Sequence, residues 1–170
     1  MHYIRHFIAC GLLAVAAPAF AQSVYLSTDV GRASVSSKYA DSGNDATVSF
    51  AVGYQYKPHL AFELYTRGLS LDPFRGAFAD AGYYPDSHYG VAAVASTGLA
   101  DSLSLFGRAG LGRTTMKSNR ANLGDKHETE PVLGAGVSYA LGRNWSLNLE
   151  ASYLTKSEAS LLTVGARVQF

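Results

Sequence analysis

The chain has 170 residues, 14 Lys+Arg against 13 Asp+Glu, and a formal net charge of +1. So balanced a charge gives no electrostatic case for a nucleic-acid partner or an acidic substrate. The single cysteine, Cys10, excludes a disulfide scaffold, and the abundance of glycine (17) and tyrosine (11) over proline (5) favours close-packed, twisted strands.

The chain opens MHYIRHFIACGLLAVAAPAFAQ. Arg5 supplies a positive start, Phe7 to Ala17 an apolar run, and Ala19-Phe20-Ala21 a small-x-small cleavage pattern. The run is well short of the roughly 20 apolar residues a spanning helix needs, so residues 1–21 read as a cleaved signal peptide. Cys10 comes too early for lipoprotein processing. The mature chain is expected to start at Gln22, to be exported without cysteine, and to form a single domain over residues 22–170. No later stretch approaches 18 consecutive apolar residues.

Eight strands are predicted in order: Val24–Ser34, Ala46–Lys57, Leu60–Leu71, His88–Thr97, Leu103–Thr115, Glu130–Leu141, Trp145–Leu154 and Leu161–Phe170. Soluble strands average roughly 5 or 6 residues. These match instead the roughly 9–11 that cross a bilayer at a tilt. In the second, Val48, Phe50, Val52, Tyr54 and Tyr56 share one face, and Thr47, Ser49, Ala51, Gly53 and Gln55 share the other. In the last, Leu162, Val164, Ala166, Val168 and Phe170 oppose Thr163, Gly165, Arg167 and Gln169. Such a period of two gives each strand one apolar and one polar side.

A two-sheet soluble sandwich also alternates. The connections separate the two. Short ones (Lys57–His59, Gly98–Ser102, Gly142–Asn144) alternate with longer polar ones (Val35–Asp45, Ser70–Ser87, Met116–Thr129) and a shorter Thr155–Ser160. Short turns at one end and long loops at the other describe an all-β, eight-stranded antiparallel up-and-down transmembrane β-barrel. Closure pairs the last strand with the first, so Phe170 can lie in the wall. The polar faces then place Asp29, Glu63, Arg67, Arg108, Glu150 and Arg167 in the lumen. Buried charge without partners is costly, so these six are expected to pair and plug the barrel. Tyr54, Tyr56, Trp145, Tyr153 and Phe170 are expected in the aromatic girdles. Phe74, Phe78, Tyr83 and Tyr84 fall in the longest external loop, where surface or lipopolysaccharide contacts are expected.

The segments EPVLGAGVSYALGRNWSLNLEASYL and LLTVGARVQF, with LAFELYTRG and LSLFGRAGLG before them, resemble the transmembrane domain of the OmpA family of small outer-membrane barrels. The resemblance covers the mature chain and implies a Gram-negative outer-membrane location. It implies that Phe170 serves as the terminal signal read by the outer-membrane assembly machinery, and a chain like the stand-alone barrels without a periplasmic peptidoglycan-binding domain. It also implies a charged network in which Glu63 and Arg108 match family positions. Ser138 and Asn148 stand where a glutamate and an arginine would be expected, so the interior pairing must be rearranged.

Enzymatic and metal chemistry find little support. Asp86, Ser87 and His88 offer the residue types of an activated serine, as in outer-membrane lipid A modifiers. They are adjacent, however, and neighbours on a strand point to opposite faces, so they read as a polar loop end. Asp101 and Ser102 sit on a short turn, the wrong side for outer-leaflet lipid. His59, His88 and His127 lack zinc-ligand spacing. The run Asp125–Glu130 reads as a solvated loop rather than a cation site. The glycines of GRAGLG lack the following helix of a dinucleotide fingerprint and suit wall packing. No cofactor or metal is expected.

The function expected is therefore non-enzymatic: a monomeric, plugged barrel in contact with outer-membrane lipid and lipopolysaccharide, with external loops as an adhesion-type surface. A narrow ion-conducting channel is the first alternative and a lipid A-modifying enzyme the second. A soluble lipocalin-like carrier would need a water-facing outside, against which the leucine- and tyrosine-rich faces argue.

Overall fold

The computed structural model describes residues 24–35, 44–69, 83–118 and 125–170. Residues 1–21, where a signal peptide is expected, and Phe74 and Phe78 lie outside them. Eight strands follow in chain order: β1 (Val24–Val35), β2 (Asn44–Lys57), β3 (Leu60–Gly68), β4 (Tyr83–Gly98), β5 (Leu103–Ser118), β6 (Lys126–Ala140), β7 (Trp145–Leu154) and β8 (Ala159–Gln169). Each pairs antiparallel with its neighbours in sequence, and β8 pairs with β1 to close the barrel. The Phe170 amide donates to the Val24 carbonyl at 3.0 Å. Closure leaves the described wall with no open sheet edge at membrane depth, which lipid would not tolerate.

The side chains sort as the alternation requires, but inside out relative to a soluble protein. Leu64 is 65% exposed, Leu111 and Leu162 58%, while Glu63, Arg67, Arg108 and Glu150 are buried. Tyr54, Tyr56, Trp145, Tyr153 and Phe170 all point outward. Apolar surface outside and charge inside is the stable arrangement only where the surroundings are hydrocarbon.

Four ends differ by three residues or more from the sequence expectation, among them that of β3, which falls at Gly68 and not Leu71. β4 starts at Tyr83, not His88, so Tyr83 and Tyr84 belong to a strand and not to the loop. β5 runs on to Ser118, and β6 starts at Lys126, so Lys126–Glu130 is strand and not a solvated loop. β3 stops at Gly68, opposite Ser87, and β7 stops at Leu154, opposite Val132. Strands β4, β5 and β6 have 16, 16 and 15 residues, against 9 in β3 and 10 in β7. One side of the wall is therefore much taller at the long-loop end.

The lumen is layered. Tyr25, Ala61, Val94 and Phe106 form an apolar cluster toward the short-turn end. Ala33, Leu69, Val132, Leu154, Ala159 and Leu161 belong to a second toward the long-loop end. Small wall residues make room for the large ones: a Cβ at Gly53 would fall within the Tyr25 ring, and one at Gly136 against Phe106. Glycine here is a packing device, since these strands carry rings on the inner face.

Candidate functional site

Between the two apolar layers lies the charged network. Glu63 leaves mid-β3, Arg108 mid-β5, Glu150 mid-β7 and Arg67 the upper part of β3. Arg108 is shared. Its Nη1 bonds Glu63 Oε2, and its Nε donates to Glu150 Oε2 at 3.0 Å. Arg67 donates through Nη2 to Glu150 Oε1 at 2.9 Å and through Nη1 to Ser152 Oγ at 2.7 Å. Arg167 on β8 reaches Glu63 Oε1 at 3.5 Å, and the Tyr25 hydroxyl donates to the same oxygen at 2.5 Å. The Arg167 guanidinium lies over the Tyr25 ring, 4.2 Å from its centre, and that of Arg67 lies 5.3 Å from the centre of Tyr65. Stacking of this kind suits the weakly hydrated guanidinium and not an ammonium.

Five of the six residues assigned to the lumen thus share one bonded set, and charge-assisted forks of this sort are strong in a dry interior. Asp29 is the exception. It faces the lumen from β1, between Ser49 on β2 and Gly165 on β8, half-buried and outside the bonded set. Ser138 lies on β6 and Asn148 on β7. These two oppose each other across β6 and β7, and Glu150, one inward position above Asn148, is the second partner of Arg108.

A second buried polar set lies toward the long-loop end, and the sequence reading missed it. Tyr65 Oη and His88 Nε2 are 2.8 Å apart, and His88 Nδ1 and Thr114 Oγ1 are 2.8 Å apart. The Thr114 hydroxyl in turn bonds Glu130. Glu130 Oε2 accepts the amides of Lys156 and Ser157, both at 2.8 Å, and Oε1 accepts the Ser157 hydroxyl at 2.5 Å. Glu130 is fully buried, which corrects its assignment to a solvated loop. The reason is its inward position on an extended β6. Its carboxylate serves as the template for the β7–β8 turn, where Glu158 takes a positive φ of 50°. Replacing Glu130 by glutamine removes the charge and one acceptor. The expected outcome is a loss of about 1–3 kcal/mol with faster amide exchange at Lys156 and Ser157. Hydrogen exchange in detergent micelles reads both.

The same geometry bears on Asp86, Ser87 and His88. His88 is fully buried in the lumen, Ser87 lies on the other face, and Asp86 pairs with Lys117 at 3.1 Å. The three do not converge on one point. His59 sits in the β2–β3 turn and His127 in β6, both far along the chain from His88. Among the described residues no group of three His, Cys, Asp or Glu gathers as a metal site. Two depressions of about 730 and 670 Å³ lie on the lipid-facing wall, around Phe62, Leu64 and Leu111, and around Phe50, Val52 and Trp145.

Residues 7–170 match the model of a family described as the outer membrane protein beta-barrel domain. Outer membrane protein A of Serratia marcescens is 32% identical over 124 residues; the match covers 68% of this chain and 34% of that protein. The chain therefore spans about a third of that relative's length. Among solved structures, Neisserial surface protein A superposes with a TM-score of 0.66 at 21% identity, covering 86% of this chain and 97% of that one. The N-terminal barrel of Pseudomonas aeruginosa OprF gives 0.60 at 16% identity, covering 88% and 98%.

Proposed function

The chain belongs to the outer membrane protein β-barrel domain family, and from that premise we propose that it is a non-enzymatic surface protein whose contacts are made by the tall β4–β6 side of its wall. The observation that carries this reading is the uneven strand length. Ten residue steps separate Leu103 from Arg113 on β5. At about 3.3 Å per residue and a tilt near 40°, they span about 25 Å along the barrel axis, the height of the apolar band. Thr114–Ser118 of β5, the start of β4 and the start of β6 then stand above the bilayer as rigid sheet. Strand costs little to order on binding, whereas a free loop must lose conformational entropy.

The lumen supports a non-conducting role. Its ion pairs cross from β3 and β5 to β7, and apolar clusters close it on both sides. Eight strands leave an interior just wide enough for side chains.

Cells displaying the intact barrel are expected to adhere to a panel of immobilised extracellular-matrix proteins and sulfated glycans. Cells carrying a version in which a short turn joins Arg113 to Thr129 are expected to lose that adhesion. The shift in gel mobility between unheated and boiled samples checks that the shortened barrel still assembles. Equal adhesion by the shortened barrel, or none by the intact one, overturns the reading. Conductance in planar bilayers decides the channel alternative, and mass spectrometry of lipid A from cells with and without the protein decides the enzymatic one.

A further inference from the structure

The upper polar set is one hydrogen-bonded chain across five elements: Tyr65 on β3, His88 on β4, Thr114 on β5, Glu130 on β6 and Ser157 in the β7–β8 turn. The chain has a direction. Four donors converge on the Glu130 carboxylate: the amides of Lys156 and Ser157 and the hydroxyls of Ser157 and Thr114. The Thr114 hydroxyl gives its hydrogen to Glu130 and so accepts from His88, which places the ring proton on Nδ1. Nε2 is then an acceptor, and the Tyr65 hydroxyl donates to it. Every hydrogen in the chain points from β3 toward the β7–β8 turn.

His88 is the joint that an added proton disturbs. It is fully buried. Its ring stacks on that of Tyr65, with centres 5.5 Å apart and planes inclined by 26°, and a Cβ at Gly112 would collide with its Nε2. Arg67 stands directly opposite it on β3. The other ionisable groups that face this level are Tyr65 on β3, Glu128 and Glu130 on β6 and Asp45 on β2; Lys156 and Glu158 of the turn are exposed. A second proton on the ring makes Nε2 a donor. The Tyr65 hydroxyl must then turn and accept, and its own hydrogen loses its acceptor. The guanidiniums beside the Tyr65 ring, those of Arg67 and Arg108 at 5.3 and 5.9 Å from its centre, are donors themselves. The new cation would also face Arg67 across the β3–β4 ladder, and like charges directly opposite each other are destabilising. His88 pairs with Thr114 and stands with it above the apolar band. Burial holds its ring neutral down to about 4, against the pull of Glu130, and Arg67 acts in the same sense as burial.

We propose that the projecting β4–β6 sheet is held to the rim by a proton-sensitive joint at His88, which an acid medium loosens while the barrel below stays closed. A histidine in water takes its proton near about 6.5. With the rim open, His88 titrates there; with the rim closed, it does so only near about 4. The open form therefore binds more protons between the two values. Closure is at full strength above about 6.5 and weakens as the pH falls toward about 4. The joint rests on the strand heights and not on the partner of the tall wall, so either reading can fail alone.

The test is hydrogen exchange in detergent micelles, with protection corrected for the intrinsic effect of pH. Protection at Thr114–Met116 and Lys126–Thr129 is expected to fall by up to about tenfold per pH unit across that interval, while Leu105–Leu111 stays protected. His88→Asn keeps a donor near the place of Nδ1 and does not titrate, so it is expected to flatten the slope. His127→Asn is the control: His127 is exposed beside Thr115, and its loss is expected to leave the slope unchanged. Boiling-dependent gel mobility verifies each fold. The nitrogen spectrum of the native protein's imidazoles gives a second reading that needs no variant. His88 is expected to be protonated on Nδ1 at neutral pH and to titrate well below His59 and His127. A proton on Nε2, titration together with the other two histidines, a flat native slope, or an unchanged slope in His88→Asn would each overturn the proposal.

Discussion

Replacing Arg108 by methionine is expected to destabilise the barrel by about 3–5 kcal/mol, the scale for removing one partner of a buried ion pair. Among the described residues Arg108 is the one cation that bonds both Glu63 and Glu150. Methionine keeps the volume and removes the charge. Glu150 retains Arg67 at 2.9 Å, but Glu63 keeps only Arg167 at 3.5 Å and the Tyr25 hydroxyl. A carboxylate so placed is left under-compensated in a space closed by apolar layers. Urea unfolding in lipid vesicles, read by the fluorescence of the single tryptophan Trp145, measures the loss. Adding Glu63→Gln to Arg108→Met is expected to recover part of it, because the second change removes the charge the first one stranded. A loss below about 1 kcal/mol for Arg108→Met would mean the pairs are solvated and the lumen is wet.

The second large effect is expected on the opposite face. Leu64 lies midway along β3, points away from the lumen and is 65% exposed. Arginine there would face hydrocarbon and is expected to cost about 2–4 kcal/mol in vesicles. A water-facing wall would accept the change or gain solubility from it. The same unfolding assay decides, and an unchanged midpoint would contradict a lipid-facing β3. The two substitutions probe adjacent layers of one wall with opposite chemistry: charge removed from inside, charge added outside.

Most of this architecture is readable from period two. Val48, Phe50, Val52, Tyr54 and Tyr56 need no partner to declare their face, because the lipid band demands an unbroken apolar side. The signal fails where that demand stops. Tyr83–Ser87 and Lys126–Thr129 stand above the band, so both faces of these strands are polar and Pro85 interrupts the pattern. Such segments look like loops until the neighbouring strand is known. Glu130 was misread for the same reason: it follows a run of charges, and the groups that bury it, Thr114 and Ser157, lie far away in sequence. Tyr25 was within reach. It shares its parity with Asp29 on β1, and so had to point into the lumen. His88 was harder, because residues 90–95, which follow it on β4, are apolar or small on both faces: Val91, Ala93 and Ala95 outside, Ala92 and Val94 inside.

The sharing of Arg108 also sets a time order for assembly. Its partners lie 45 and 42 residues away, and those of Arg67 lie 83 and 85 residues away. No single hairpin contains both members of any of these pairs. A lone β-hairpin entering the bilayer would carry its lumenal charges uncompensated, at a cost of several kcal/mol each. The contact order is high, and loop-closure entropy must be met before any of these contacts can repay it. Neutralisation and sealing are therefore late events. The strands must gather into a nearly closed wall while the lumen still holds water, and only the final zippering of β8 onto β1 brings Arg167 to Glu63 and drives that water out.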